Sequence, residues 1–140
     1  MLEHTHAIIL IKNKKDEYLQ YYDKRWDSFL FLNCKLTDDN HIEIISDFLM
    51  QSLDLKPDNN QIIYAMDKVH EKYSESAQKI KQYHHYFYVV ENFELPNDYQ
   101  YDNFKVNIID YTWLSLAKLE NNERIQKVNK DIVDFVKQIH

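Results

Sequence analysis

The chain has no glycine in its 140 residues. As written, this excludes a Walker A loop, a dinucleotide-binding GxGxxG turn and a nucleophile-elbow GxSxG. Any turn that needs positive φ falls to Asn or Asp, which tolerate that region best among the other residues. Asn13, Asn33, Asn59, Asn60, Asn97 and Asn122 are the positions expected to supply it. The single cysteine, Cys34, rules out an internal disulfide and a Cys-rich zinc site. The apolar run at residues 7–11 is too short for a signal-peptide core. No run approaches the roughly 20 residues of a membrane-spanning helix. The expected location is the cytoplasm. Basic residues are also scarce: 17 Lys and Arg face 23 Asp and Glu, for a net charge of −6. Broad binding to nucleic acid or to an anionic membrane needs a basic surface and is not expected.

What is present is 44% hydrophobic and 14% aromatic residues, too apolar for a disordered chain. A chain of this length can bury roughly two-thirds of its surface as one domain. Strands are expected at 4–12 and 17–23, joined by a hairpin turn at 13–16. Further strands are expected at 28–32, 61–72, 83–90 and 105–113. In the 61–72 segment Ile62, Tyr64, Met66 and Lys68 alternate with Ile63, Ala65 and Asp67. In 83–90 both faces are apolar or aromatic, which suits a strand covered on both sides. Residues 56–60 and 95–103 read as loops and 74–79 as a polar turn. Residues 114–119 read as a short helical turn. Residues 122–139 form an amphipathic helix with Ile125, Val128, Ile132, Phe135, Val136 and Ile139 on its apolar face. No repeat or linker divides the chain, so residues 1–140 are expected to form a single domain.

The stretch WDSFLFLNCKLTDDNHIEIISDFLMQSLDL, residues 26–55, organises the rest. A strand runs into a tight polar loop, and the loop opens a helix over 41–53. Asn40 is placed to cap it, with Glu43 three residues on to complete a capping box. Ile42, Ile45, Leu49 and Leu53 fall on one face, and Ile44, Phe48 and Met50 widen it. Pro57 disfavours a helical residue before it and marks the end.

This strand–loop–helix resembles the Nudix box of the Nudix hydrolases. The upstream HAIILIKNKKDEYLQYYDKRWDSFLFLNCKL is similar to that family's first strands. DYTWLSLAKLE is similar to its Trp-then-helical-turn, and ERIQKVNKDIVDFVKQI to its C-terminal helix. The resemblance implies an α/β/α sandwich around a mixed β-sheet. The box itself departs from the family. With Asp54-Leu55 at the closing Gly-aliphatic pair, the Arg position is Asp47. The three Glu positions are then Phe48, Gln51 and Ser52, and the paired glycines fall at Asn33 and Cys34. A register shifted by one puts Leu49, Ser52 and Leu53 at the Glu positions. Neither register supplies a carboxylate. A diphosphate hydrolase holds Mg²⁺ or Mn²⁺ through hard oxygen ligands, so the ordinary reaction is not expected, nor is a resident metal or other cofactor.

The resemblance implies a binding role instead, for a nucleotide-derived small molecule or a partner protein. Some Nudix-like domains accompany bacterial nucleotide signalling and defence. Arg25, Trp26 and Lys35, around the approach to the box, and Tyr86 on the sheet are the expected ligand contacts: cations for phosphates, rings for a base. The plain alternative is a core Trp26, solvated cations and Tyr64, Tyr86 and Tyr88 as packing. A rival reading keeps a hydrolase with Asp38, Asp39, Glu43 or Asp47 as unusual metal ligands. Acids at a helix start are also favoured simply by its dipole. An interaction module, with a homodimer left open, is a third. His4 and His6 share a strand face and could meet at a metal, whereas His84 and His85 point to opposite faces; edge or core histidines are the ordinary reading. Cys34 reads as a small buried thiol, and Lys12, Lys14 and Lys15 as a solvated turn.

Overall fold

The structure is a computed structural model that describes residues 4–37, 40–74 and 77–139. Seven strands lie among the described residues: β1 His4–Ile11, β2 Tyr18–Asp23, β3 Ser28–Lys35, β4 Ile62–Ser74, β5 Lys79–Val90, β6 Asn103–Val106 and β7 Ile109–Leu114. Three α-helices accompany them: α1 His41–Leu53, α2 Leu116–Asn121 and α3 Glu123–Val136. The strands hydrogen-bond in the order β4-β5-β1-β3-β2-β7-β6, a mixed sheet, as an α/β fold requires. No helix of the described residues is long and apolar enough to cross a membrane. The chain divides into two compact units, one built from the chain up to Ile9 with Asn33–Glu91, the other from Leu10–Leu32 with the chain from Asn92 on.

In the first unit β4 and β5 form a long antiparallel hairpin, paired from Ile62↔Val90 to Ser74↔Lys79. Strict alternation along β4 fails. A register shift between Tyr64 and Met66 adds one residue to β4, a β-bulge at Ala65. Tyr64 and Asp67, expected on opposite faces, therefore share one, opposite Tyr88 and Tyr86. Met66, Lys68 and His70 move to the other, opposite Phe87, His85 and Tyr83. The β4–β5 turn includes Gln78 at φ 53°, and Glu75 and Ser76 of the expected polar turn lie outside the described residues. Helix α1 spans the expected residues. Asn40 Oδ1 accepts the Glu43 N–H at 3.3 Å, the first half of the expected capping box. Ile45, Leu49 and Leu53 are fully buried, each worth roughly 1.5–3 kcal/mol of apolar transfer. Met50, expected to widen this face, is instead exposed. The helix is stopped by its own cap before Pro57 matters. Asp54 takes φ 53°, ψ 38°, and its N–H reaches back to Leu49 and Met50 carbonyls.

In the second unit β2 pairs with β3 and β7, and β7 with β6, all antiparallel. The strand expected over 105–113 is in fact the β6–β7 hairpin. Its turn is Asn107-Ile108, at φ 49° and 67°. Two positive-φ residues in a two-residue loop match the right-handed strand twist, but Ile108 is β-branched and 82% exposed there. Helix α3 buries Ile125, Ile132, Val133 and Val136. Asn129 breaks its geometry at φ −141°, ψ 20°, which rotates the buried stripe so that Asn129 and Val133 join it, while Val128 and Phe135 are only half-buried.

The positive-φ positions among the described residues are Asp16, Asp27, Asp54, Gln78, Asn92, Asn107 and Ile108. Asn and Asp carry most of them, as a glycine-free chain requires, but none is one of the six asparagines expected. Asn13 and Asn122 use their side chains instead. Asn13 Oδ1 accepts the Lys15 and Glu17 N–H groups at 3.0 Å each, and Asn122 Oδ1 accepts the Ile125 N–H as the N-cap of α3.

Candidate functional site

The box-like segment begins with a correction. Strand β3, expected to end at Leu32, continues to Lys35. Asn33 and Cys34 are thus half-buried strand residues rather than a loop. Their Cβ atoms and negative φ carry the strand through positions where paired glycines would turn it. Burial pushes the Cys34 thiol up to about 12, so it is a protonated thiol near neutral pH.

On α1, Asp47 and Gln51 are exposed, and Phe48 and Ser52 half-buried. In the shifted register Leu49, Ser52 and Leu53 would stand in place of Phe48, Gln51 and Ser52, yet Leu49 and Leu53 are fully buried. Glu43 and Asp47 are exposed and one helical turn apart. Asp38 and Asp39 lie outside the described residues. Among the described residues no three His, Cys, Asp or Glu side chains are gathered as a metal ion needs. Phe48, Gln51 and Ser52 offer a phenyl ring, an amide and a hydroxyl but no carboxylate, a poor match to Mg²⁺ or Mn²⁺, which proteins hold through carboxylates together with substrate phosphates.

Beside the start of α1 lies a connected array of rings. His41 Nδ1 is 3.0 Å from the Tyr88 hydroxyl, and its ring meets Tyr86 edge-on at 4.7 Å. Tyr86 stacks on His84 at 4.2 Å. His84 Nε2 is 2.7 Å from Asp67 Oδ2, and Tyr64 donates its hydroxyl to Asp67 Oδ1. Tyr64 in turn meets Tyr88 edge-on at 5.9 Å. The two hydrogen bonds, from Tyr64 first and His84 second, hold the Asp67 carboxyl below its usual range. The same bond to Asp67 pushes the Tyr64 phenol up to about 12. Burial raises the Tyr88 phenol. The array offers ring faces for stacking and an Asp-oriented imidazole for hydrogen bonding or proton transfer. Sequence reasoning picks out the tyrosines but not Asp67 or His41. Asp67 reaches this face only because of the bulge.

The opposite face of β5 carries a second histidine group. His70 Nε2 is 2.7 Å from His85 Nδ1, His6 and His85 rings are 6.1 Å apart, and His4 lies 4.9 Å from Tyr83. His84 and His85 do point to opposite faces, and His4 and His6 do share one. Burial is the first cause that lowers His85 to about 3, with His70, His6, Lys72 and His84 adding repulsion. Burial, then His4 and Lys35, lowers His6. Both imidazoles are neutral near pH 7.

Of the other expected contacts, Tyr86 is in the ring array and Lys35 is an exposed residue at the C-terminal end of β3. Arg25 and Trp26 precede the opposite end of that strand, in the second unit. The Arg25 guanidinium is exposed and sits 3.7 Å from the buried Asp23 carboxylate. Trp26 is not core: it is 37% exposed, and its carbonyl, like that of Asp27, accepts from Arg124. Lys12 pairs with Asp16 at 3.0 Å across the β1–β2 turn, in keeping with a solvated turn.

No protein-family model matches the sequence, and a comparison with curated proteins finds no match. Solved structures do match. A MutT protein from Methanosarcina mazei Go1 aligns over 99% of this chain and 97% of its own, with a TM-score of 0.67 at 16% identity. A Nudix hydrolase from Nitrosomonas europaea aligns over 98% and 90%, with a TM-score of 0.58 at 12% identity. A bifunctional NMN adenylyltransferase/ADP-ribose pyrophosphatase from Francisella tularensis, complexed with AMP and a manganese ion, aligns over 96% of this chain and 41% of its own, with a TM-score of 0.58 at 14% identity. The chain therefore has the fold of the Nudix hydrolases.

Proposed function

We propose that this is a catalytically degenerate Nudix-fold domain that binds a nucleotide-derived small molecule at the ring array beside α1. The observation that carries the loss of catalysis is the donor set on α1: Phe48, Gln51 and Ser52 stand where the fold's hydrolases need carboxylates. Two features support the register behind that reading. Asp54 holds the left-handed conformation that the closing glycine of a box would hold, and Leu55 is buried beside it. The shifted register would turn the fully buried Leu49 and Leu53 toward a cation.

The ligand chemistry follows from the array. Tyr86 and Tyr64 offer faces on which a base can stack, worth about 1–3 kcal/mol per base in nucleic-acid systems. His41, the first residue of α1, sits where the helix dipole favours an anionic group. His84, held by Asp67, presents its remaining nitrogen for a hydrogen bond. By resemblance, such a domain serves bacterial nucleotide signalling or defence.

A thermal-shift screen with nucleoside mono-, di- and triphosphates and dinucleotides tests this. A ligand at 100 times its Kd adds about 2.7 kcal/mol of stability. The expected result is a shift from at least one nucleotide, lost in His41→Ala and Tyr86→Ala. Absence of any shift, with a stable complex captured in pulldown, would replace the small molecule by a partner protein.

A further inference from the structure

The second unit has a cleft of about 510 Å³ that is lined by no residue of α1. Tyr22, Phe29, Asn103, Lys105 and Asp110 of its lining come from one face of the β3-β2-β7-β6 ladder, whereas Phe104 and Tyr111 occupy the alternate positions of β6 and β7. Tyr22 pairs with Phe29, Tyr21 with Tyr111, and Lys105 with Asp110. One step along the β2–β7 ladder from Tyr21↔Tyr111 puts Tyr22 beside Asp110. Phe29, Tyr22, Asp110 and Lys105 thus form one cross-strand row, because directly opposed residues share a face. Gln20 and Asn103 fall in the next row on the same face, joined through Thr112.

We propose that this cleft binds an uncharged nucleoside, its base against the Tyr22–Phe29 wall and its edge at Asn103. The wall is held in place. Tyr22 and Phe29 meet edge-to-face at 5.5 Å, and the Tyr22 hydroxyl donates to Asp27. Phe104 and Tyr111 also line the cleft and belong to a column of near-parallel rings with Tyr99, spaced 5.2 and 5.3 Å. The volume lies within the range of small-molecule sites, roughly 300–1,000 Å³. The Asn103 amide carries a donor and an acceptor, as the edge of a nucleobase does.

Charge selects the uncharged form. The one cation among the lining residues, Lys105, is 3.5 Å from the Asp110 carboxylate, so the cleft is electrically balanced. A phosphate would meet Asp110 as well as Lys105. Beside the wall, Gln20 is fully buried and its Oε1 lacks a hydrogen-bond partner among the described residues.

This inference uses other residues than the ring array beside α1, so the two readings fail separately. The test is saturation-transfer NMR and calorimetry on the full chain with adenosine, guanosine, cytidine, uridine and their monophosphates. At least one nucleoside is expected to bind saturably, no more weakly than its monophosphate. Tyr22→Ala and Asn103→Ala should each weaken it at least fivefold. Met50→Ala, an exposed change on α1, should leave it unchanged, and every titration is made in a chain carrying His41→Ala and Tyr86→Ala, which removes the ring array as a second site for the monophosphates. Circular dichroism melts establish that each variant is folded. No saturable binding of any nucleoside, a monophosphate more than tenfold tighter, or binding insensitive to both Tyr22→Ala and Asn103→Ala overturns the proposal.

Discussion

Mild acid should destabilise this fold through one buried imidazole. His85 is 8% exposed and bonded to His70, with His6, Lys72 and His84 as the charged or titratable groups around it. Its folded pKa falls from 6.5 to about 3, with burial the main cause. The unfolded chain therefore takes up a proton near pH 6.5 that the folded chain refuses. Stability is complete above pH 6.5 and declines as pH falls toward 3. At 1.36 kcal/mol per pH unit, the 1.5 units between 6.5 and 5 amount to about 2 kcal/mol. For a domain of this size that lowers Tm by roughly 5–8 °C. His6, also lowered, acts with the same sign. The depressed Asp67 carboxyl acts with the same sign, but its contribution is lost only as pH falls below its ordinary pKa of 3.8, outside the window. Urea unfolding at pH 7.5, 6.5, 5.5 and 5.0, for the wild type and His85→Gln, isolates the effect. The variant should lose about 2 kcal/mol less than the wild type across that range. Equal losses in both proteins would refute the assignment of His85 as a buried neutral base.

Other outcomes follow from the same geometry. Ile108→Gly should stabilise the protein by about 1 kcal/mol, read as a higher urea midpoint with unchanged slope, because it relieves a β-branched residue at positive φ. Leu49→Ala should cost about 2–5 kcal/mol in the same assay, since its side chain is fully buried in the core. Asn40→Ala should cost about 1 kcal/mol through the lost N-cap. Cys34 should react with iodoacetamide at pH 8 far more slowly in the folded protein than in urea; equal rates would contradict a half-buried thiol with a raised pKa.

The parts of the fold that local chemistry dictates were legible in the sequence. Helix α1 matched to the residue because Asn40 caps it and its apolar residues recur at helical spacing. The alternation in β5 correctly separated His84 from His85. What escaped the sequence were features that interrupt a period without a marker residue. The Ala65 bulge reverses the faces of β4 beyond it, which brings Asp67 to Tyr64 and His84, and His70 to His85. The β6–β7 turn uses Asn107-Ile108, and an isoleucine at positive φ gives no turn signal. The broken helical geometry at Asn129 moved Val133 into the core. Long-range strand pairing, not local preference, decides the bulge and the β6–β7 turn.

The proposed loss of catalysis requires that α1 hold no catalytic divalent cation. The deciding assay incubates the purified chain and its Glu43→Gln variant with nucleoside diphosphate-linked substrates and Mg²⁺ or Mn²⁺, and measures released phosphate and nucleotide. Neither protein should show metal-dependent turnover above background. Turnover by the wild type that Glu43→Gln abolishes would overturn the proposal.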